Sequence, residues 1–233
     1  MIYTRSGDDG YTTLCGTRIS KSSRRCELLG SLDELNCLMG MCAVKAQKAA
    51  RTISSDTSFV AAHVLAAQRQ ATRPTAEREL PLADIFCEIQ HILFVAQALV
   101  AGYHKPISSA VATRLEAYIA ALEAQVPMPK HFVLAGGNED AAFYDYVRAV
   151  TRRVECILVS FLEEFERERA DAPAGVGVDA CDRCSSCHAE DYRTMLIFLN
   201  RLSSFMYCCA RFENVKAGFC ETAPRYEVAE QGE

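Results

Sequence analysis

Several groups of residues have types and spacings that could do chemistry. The first is the loop Thr4-Arg5-Ser6-Gly7-Asp8-Asp9-Gly10-Tyr11-Thr12-Thr13. Two glycines, several hydroxyls and one base can turn N–H and O–H donors toward a polyphosphate. Lys21 follows closely enough to add a point charge. The loop lacks Gly-Lys-Ser/Thr, so it is not a Walker A loop. Taken alone, Gly7-Asp8-Asp9-Gly10 is as readily a plain turn and Lys21 a solvated lysine.

The second group is Arg148, Arg152 and Glu155, spaced i, i+4, i+7 on one helical face, with Arg153 beside them. Two guanidiniums and a carboxylate on one stripe suit triphosphate oxygens and a ribose or metal-bound water. A salt-bridged exposed face is the plainer alternative. Against it, Tyr144, Val147, Ile157 and Leu158 make the helix apolar enough to be largely buried, where arginine needs a partner. Asn200 and Ser204, four apart, share a face of the last helix, where an Asn is either a satisfied core group or a ligand contact. By itself Asn200 reads as core. Asp33 opens an apolar stripe and could pair with an arginine or act as a helix N-terminal carboxylate.

The elements that must position these residues are helical. Leu28, Leu29, Leu32, Leu35, Leu38 and Met39 recur at three and four and predict a helix from Glu27 to Lys45. Further helices are predicted from Leu82 to Ala101, from Ser108 to Gln125 with a Ser cap, from Asn138 to Arg169, and from Asp191 to Phe212. Pro127, Pro129 and Gly136-Gly137 bracket a short loop. Residues 48–80 and 170–189 read as insertions, the former a loose connector, and no period of two persists anywhere. The expectation is an all-α chain of about five helices in a bundle, one domain over residues 1–233.

Composition narrows the function. Half of the 233 residues are hydrophobic and 24% are charged, which excludes disorder over the whole length. Net charge is −5 with the basic residues dispersed, which disfavours a nucleic-acid or anionic-membrane surface. The most apolar stretch, Ile85 to Ala101, is broken by Glu88, Gln90, His91 and Gln97, so no membrane span is expected. Met1-Ile2-Tyr3-Thr4-Arg5 has no signal core, and the chain is read as cytoplasmic, or of the mitochondrial matrix if a presequence was removed.

Twelve cysteines are read as reduced, several of them (Cys37, Cys87, Cys156, Cys208, Cys209) in helical apolar patterns. Cys181, Cys184, Cys187 and His188 form a Cys-x-x-Cys-x-x-Cys-His string whose end matches a haem-attachment motif. Haem attachment would need an export signal. Zinc or an iron–sulfur centre ranks above it, although no second pair stands at finger spacing. A reduced, oxidation-prone loop is the first expectation.

In order along the chain, Tyr3 to Gly10, Arg18-Ile19-Ser20-Lys21 and Gly30-Ser31-Leu32-Asp33-Glu34-Leu35-Asn36 resemble the opening of the PduO-type ATP:cob(I)alamin adenosyltransferases. So do Phe132-Val133-Leu134-Ala135-Gly136-Gly137, Arg148 to Glu155, and Leu199-Asn200-Arg201-Leu202-Ser203, with Gln90-His91-Ile92-Leu93-Phe94 a looser fit. The resemblance spans the chain apart from residues 48–80, 170–189 and the tail after Arg211.

It implies a five-helix bundle with ferritin-like up-and-down packing, assembled as a homotrimer with active sites between subunits. It implies that Thr4, Arg5, Ser6, Gly7, Thr12, Thr13 and Lys21 wrap the ATP phosphates, with Mg²⁺ on the triphosphate. Arg152, Arg153, Glu155 and Asn200 would complete the nucleotide site. Asp33 would match a carboxylate that pairs with Arg148 on the cobalamin side, near Ser204, and Phe132 an aromatic that crowds the lower face of the corrin ring. A cobalamin reductase and an adenosylcobalamin-dependent mutase are the implied partners.

The implied activity is transfer of the 5′-deoxyadenosyl group of ATP to cob(I)alamin; a non-catalytic carrier or sensor on the same bundle is the alternative. Departures from the family pattern are Ser204 for Asp, Ala135 for Pro, Asp145 for His, and Cys15-Gly16-Thr17 for Phe-Gly-Gly. Ala135 is expected to loosen the Phe132 loop, and Ser204 to bear on cobalamin more than on ATP.

Overall fold

A computed structural model describes residues 3, 5–55, 78–103, 105–171 and 185–226. The element order is β1 (Tyr11–Leu14), β2 (Thr17–Ser20), α1 (Arg24–Lys48), β3 (Thr52–Ser55), β4 (Arg78–Pro81), α2 (Leu82–Val100), α3 (Ala110–Glu123), α4 (Glu139–Asp171) and α5 (Ser185–Lys216). Thus the described chain is mostly helical, but not all-α. β1 pairs antiparallel with β2, and β3 with β4, each over four residues. Strands this short give a period of two no length over which to persist.

Local signals explain the helix ends. Ser23 caps α1 by accepting from the Cys26 N–H at 3.3 Å, so the helix starts three residues before the first apolar repeat suggests. Lys45 and Lys48 sit in its last turn, where the helix dipole favours cations. At α3 the cap residue is Ser109, which makes no side-chain cap bond; Ser108 Oγ instead accepts from the Ala110 N–H at 3.3 Å. Asn138 Oδ1 accepts from the N–H groups of Asp140 and Ala141 at 2.9 and 3.0 Å and opens α4.

Packing runs α2 on α1, α1 on α4, α4 on α5 and α5 on α3, around one continuous apolar core. Leu28, Leu32, Leu35 and Met39 of α1 meet Phe86, Ile89 and Leu93 of α2, all essentially without solvent exposure. By length and composition α2 could cross a membrane. Its apolar face from Leu82 through Val100 is instead spent on this core. Helices α4 and α5, of 33 and 32 residues, are about 50 Å long at 1.5 Å per residue and form the broadest helix pair.

The loop between α3 and α4 is fastened to α5. Asn214, buried on α5, accepts from the Asn138 N–H at 3.2 Å and donates to the Gly136 carbonyl at 3.0 Å. Gly137 adopts φ +107°, and a Cβ there would collide with the Asn214 side chain. Only glycine satisfies both the backbone and the space. Gly137→Ala is therefore expected to cost about 2 kcal/mol or more of stability, read as a lower denaturant midpoint at unchanged slope.

Cys42, Cys208 and Cys209 are core residues. Burial pushes the Cys208 thiol up to about 12 and raises those of Cys42 and Cys209 as well. Since the thiolate is the reactive form, these three should resist iodoacetamide at pH 7.5 in the native protein and react fully after denaturation. Mass mapping of the alkylated peptides checks this.

Candidate functional site

The N-terminal loop and the β1–β2 hairpin bring their predicted residues together. Lys21 Nζ donates to the Gly7 carbonyl at 2.6 Å, and the Lys21 N–H donates to the Gly10 carbonyl at 2.9 Å. A Cβ on Gly7 would lie 2.8 Å from Lys21 Nζ and 3.3 Å from the Tyr11 carbonyl, so a larger residue there would have to displace the lysine end. Arg5 is exposed at φ +61°, a left-handed conformation uncommon for a side-chain-bearing residue. Thr12 and Thr13 lie on β1 opposite Ile19 and Arg18.

Asp9 accepts from the Tyr11 N–H at 3.1 Å and lies 2.6 Å from Arg18, and these two contacts hold its carboxyl below the usual range. The hairpin thus keeps Lys21 beside the Gly7–Gly10 turn. Thr4 lies outside the described residues. Among the described residues, Lys21, Thr12 and Thr13 make no hydrogen bond or ion pair to α4 or α5.

On α4 the predicted stripe divides. Arg153 is exposed and pairs with Glu34 at 2.7 Å, the plain surface reading, worth at most about 1 kcal/mol. Glu155 Oε1 accepts from Asn200 Nδ2 at 3.0 Å, and Asn200 Oδ1 accepts from Arg201 at 2.7 Å, so Asn200 is exposed and engaged rather than core. Arg152 is exposed and has no ion-pair partner among the described residues. Arg148 is half-buried, its Nε donating to Asp145 at 3.2 Å. Asp33 is exposed on α1 and does not meet Arg148 within the chain.

Two clefts meet at Arg148 and Tyr207. One, of about 360 Å³, runs over α4 and α5 and is lined by Arg148, Arg152, Ser203, Ser204, Tyr207 and Glu123 among others. The other, of about 750 Å³, is lined by Lys130, His131, Phe132, Arg148, Tyr207 and the tail residues Ala223, Pro224 and Tyr226 among others. Phe132 stands 81% exposed at its edge, an unusual position for a large apolar ring, and none of the described residues covers it. Lys130, His131 and Arg148 make the wall basic, and among the described residues no acidic side chain lines it.

Sequence reasoning missed Tyr207 and the tail as cleft walls. It also took Asp145 only as a departure, whereas this carboxylate is 3% exposed and holds Arg148. A findable signal was Arg211, charged within the apolar run Cys208 to Phe212, since a buried guanidinium requires a carboxylate nearby. The loop bearing Phe132 is tied down despite Ala135: the Leu134 N–H donates to the Thr222 carbonyl at 2.9 Å, and the Gly136 N–H to Asp145 at 3.3 Å. Cys181 and Cys184 lie outside the described residues, as do the side chains of Cys187 and His188.

Comparison with known proteins gives these clefts a context. The corrinoid adenosyltransferase of Bacillus subtilis (strain 168) is 28% identical over 217 residues, covering 93% of this chain and 88% of that protein. The corrinoid adenosyltransferase PduO of Citrobacter freundii is 28% identical over 220 residues, 91% of this chain but only 50% of its own length. Among solved structures, a variant PduO-type ATP:corrinoid adenosyltransferase from Lactobacillus reuteri, complexed with cobalamin and ATP, superposes with a TM-score of 0.64 at 23% identity. That match covers 97% of this chain and 99% of the other, and shows a shared fold. The family model for cobalamin adenosyltransferase matches residues 2–213, and the chain belongs to that family of transferases.

Proposed function

We propose that this protein transfers the 5′-deoxyadenosyl group of ATP to the cobalt of a reduced corrinoid, giving adenosylcobalamin and triphosphate. The observation that carries the proposal is the junction at Arg148, where a basic cleft edged by exposed Phe132 adjoins a second cleft holding Arg152, which has no ion-pair partner among the described residues. A flat ring system that carries an anionic side group suits the first and an anionic leaving group the second.

In the reaction the cob(I)alamin electron pair attacks C5′ of ATP; the Co–C bond forms as the C5′–O bond breaks, and triphosphate leaves. No proton has to move, so no general base is required. The protein's task is to orient the reactants, neutralise the leaving group and exclude water. Arg152 and Lys21 are assigned to triphosphate charge. Arg5, Ser6, Gly7, Thr12 and Thr13, with Thr4, are assigned to phosphate donors, and Arg153, Glu155 and Asn200 to the rest of the nucleotide. Phe132 is assigned to the lower corrin face, where an apolar ring displaces the axial ligand and eases reduction of cob(II)alamin.

Mg²⁺ enters on the triphosphate. Among the described residues no group of three or more carboxylate, imidazole or thiol side chains is placed to hold a metal, and Mg²⁺ commonly binds through substrate phosphates. The same reading places the active site between copies of the chain, in a homotrimer. In that assembly Asp33 would meet Arg148 of a neighbour. Exposed Met41, Val44, Phe94 and Val159 on the helices supply apolar surface for such contacts.

The direct test is to mix the protein with pre-reduced cob(I)alamin, ATP and Mg²⁺ and follow adenosylcobalamin by absorbance. Turnover supports the transferase; binding of both substrates without product would replace it with a carrier. Arg152→Ala should lower kcat/KM by about 100-fold or more through loss of leaving-group stabilisation. Phe132→Ala should slow formation of product from cob(II)alamin plus reductant by at least about tenfold, or 1.4 kcal/mol. With pre-reduced cob(I)alamin the loss should be much smaller. Equal losses in the two assays would remove the wedge role.

A further inference from the structure

One buried carboxylate touches a wall residue of the larger cleft, the loop that carries Phe132, and the guanidinium beside Tyr207. Asp145 Oδ1 accepts from Arg148 Nε at 3.2 Å. Its Oδ2 accepts from Arg211 Nη2 at 2.5 Å and from the Gly136 N–H at 3.3 Å. Arg148 lines both clefts. Gly136 lies four residues beyond Phe132 in the same loop. Arg211 sits 4.8 Å from the ring centre of Tyr207, the other residue shared by the two clefts.

A second carboxylate closes the arrangement from the tail. Glu221 Oε1 lies 2.5 Å from Arg211 Nε and accepts from Asn214 Nδ2 at 2.8 Å, while Asn214 also donates to the Gly136 carbonyl. One residue on, the Thr222 carbonyl accepts from the Leu134 N–H, and the chain then supplies Ala223, Pro224 and Tyr226 to the cleft wall. Two carboxylates therefore balance two guanidiniums, and Arg211 is the bridge. Because Asp145 is 3% and Arg211 1% exposed, water cannot replace a lost partner, and the positions of loop, tail and Arg148 are linked.

We propose that Asp145 is a positioning residue that sets Arg148 and the Phe132 loop in register, and that Glu221 completes this by locking the tail to the same hub. The proposal rests on the corrinoid reading of the larger cleft. Neither carboxylate lines that cleft, so each acts through the residues it holds.

The test uses the full chain carrying Asp145→Asn or Glu221→Gln, each keeping the shape and losing the charge. Each should raise the KM for cob(I)alamin by about tenfold and leave the KM for ATP within about twofold. Amide exchange at Leu134 and Gly136 should quicken by about tenfold, with exchange in the α4–α5 core unchanged. Should Asp145→Asn fail to fold, Glu221→Gln carries the test, since Glu221 lies in the tail beyond α5. Equal rises in both KM values, or unchanged exchange at Leu134 and Gly136, would overturn the proposal. A wild-type protein that makes no adenosylcobalamin would instead remove the functional reading, and the exchange measurement would still decide whether the two carboxylates hold the loop.

Discussion

A guanidinium buried between α4 and α5 imposes the arrangement around the clefts. Arg211 is almost wholly enclosed, and an unpaired charge there would cost a large share of an ordinary protein's stability. Burial works against its charge, and Asp145 and Glu221 more than offset that, leaving its pKa above the ordinary arginine value. Satisfying it takes one carboxylate from α4 and one from the chain after α5. Once both are in place, the α3–α4 loop and the tail have little freedom, because Gly136 and Asn214 bond to the same cluster and Thr222 bonds Leu134 of the loop.

That constraint explains how a cleft can present a large exposed ring. Phe132 lies in a loop without regular secondary structure, yet backbone bonds flank it at Leu134 and Gly136. A ring held from behind can face a ligand without collapsing onto the core. The same logic applies to Arg148: Asp145 takes only its Nε, which leaves the rest of the guanidinium directed to the clefts it lines.

Charge is distributed to match. The chain carries −5 overall, yet among the described residues the larger cleft is lined by Lys130, His131 and Arg148 with no acid. Local placement therefore outweighs net charge in setting what the cleft attracts. The bulk reading against nucleic acid and the local reading for an anionic small molecule concern different length scales, so they do not conflict.

The sequence alone determined the helices, because apolar residues at spacings of three and four recur for many turns and leave little choice of face. Leu28, Leu32, Leu35 and Met39 are buried as their spacing requires. It also carried the ordered motifs that point to the family, since a phosphate loop, an arginine stripe and an Asn-bearing helix are local patterns. The hairpins were not legible, being four residues per strand. Nor was the state of Arg152 and Arg153, neighbours of like type, of which among the described residues only Arg153 finds a carboxylate, on α1. Asp145, Arg211 and Glu221 are separated by 66 and 10 residues, and nothing in local periodicity pairs them. Tertiary structure decided that pairing, because a buried charge is satisfied by whatever the packing of α4, α5 and the tail brings within reach.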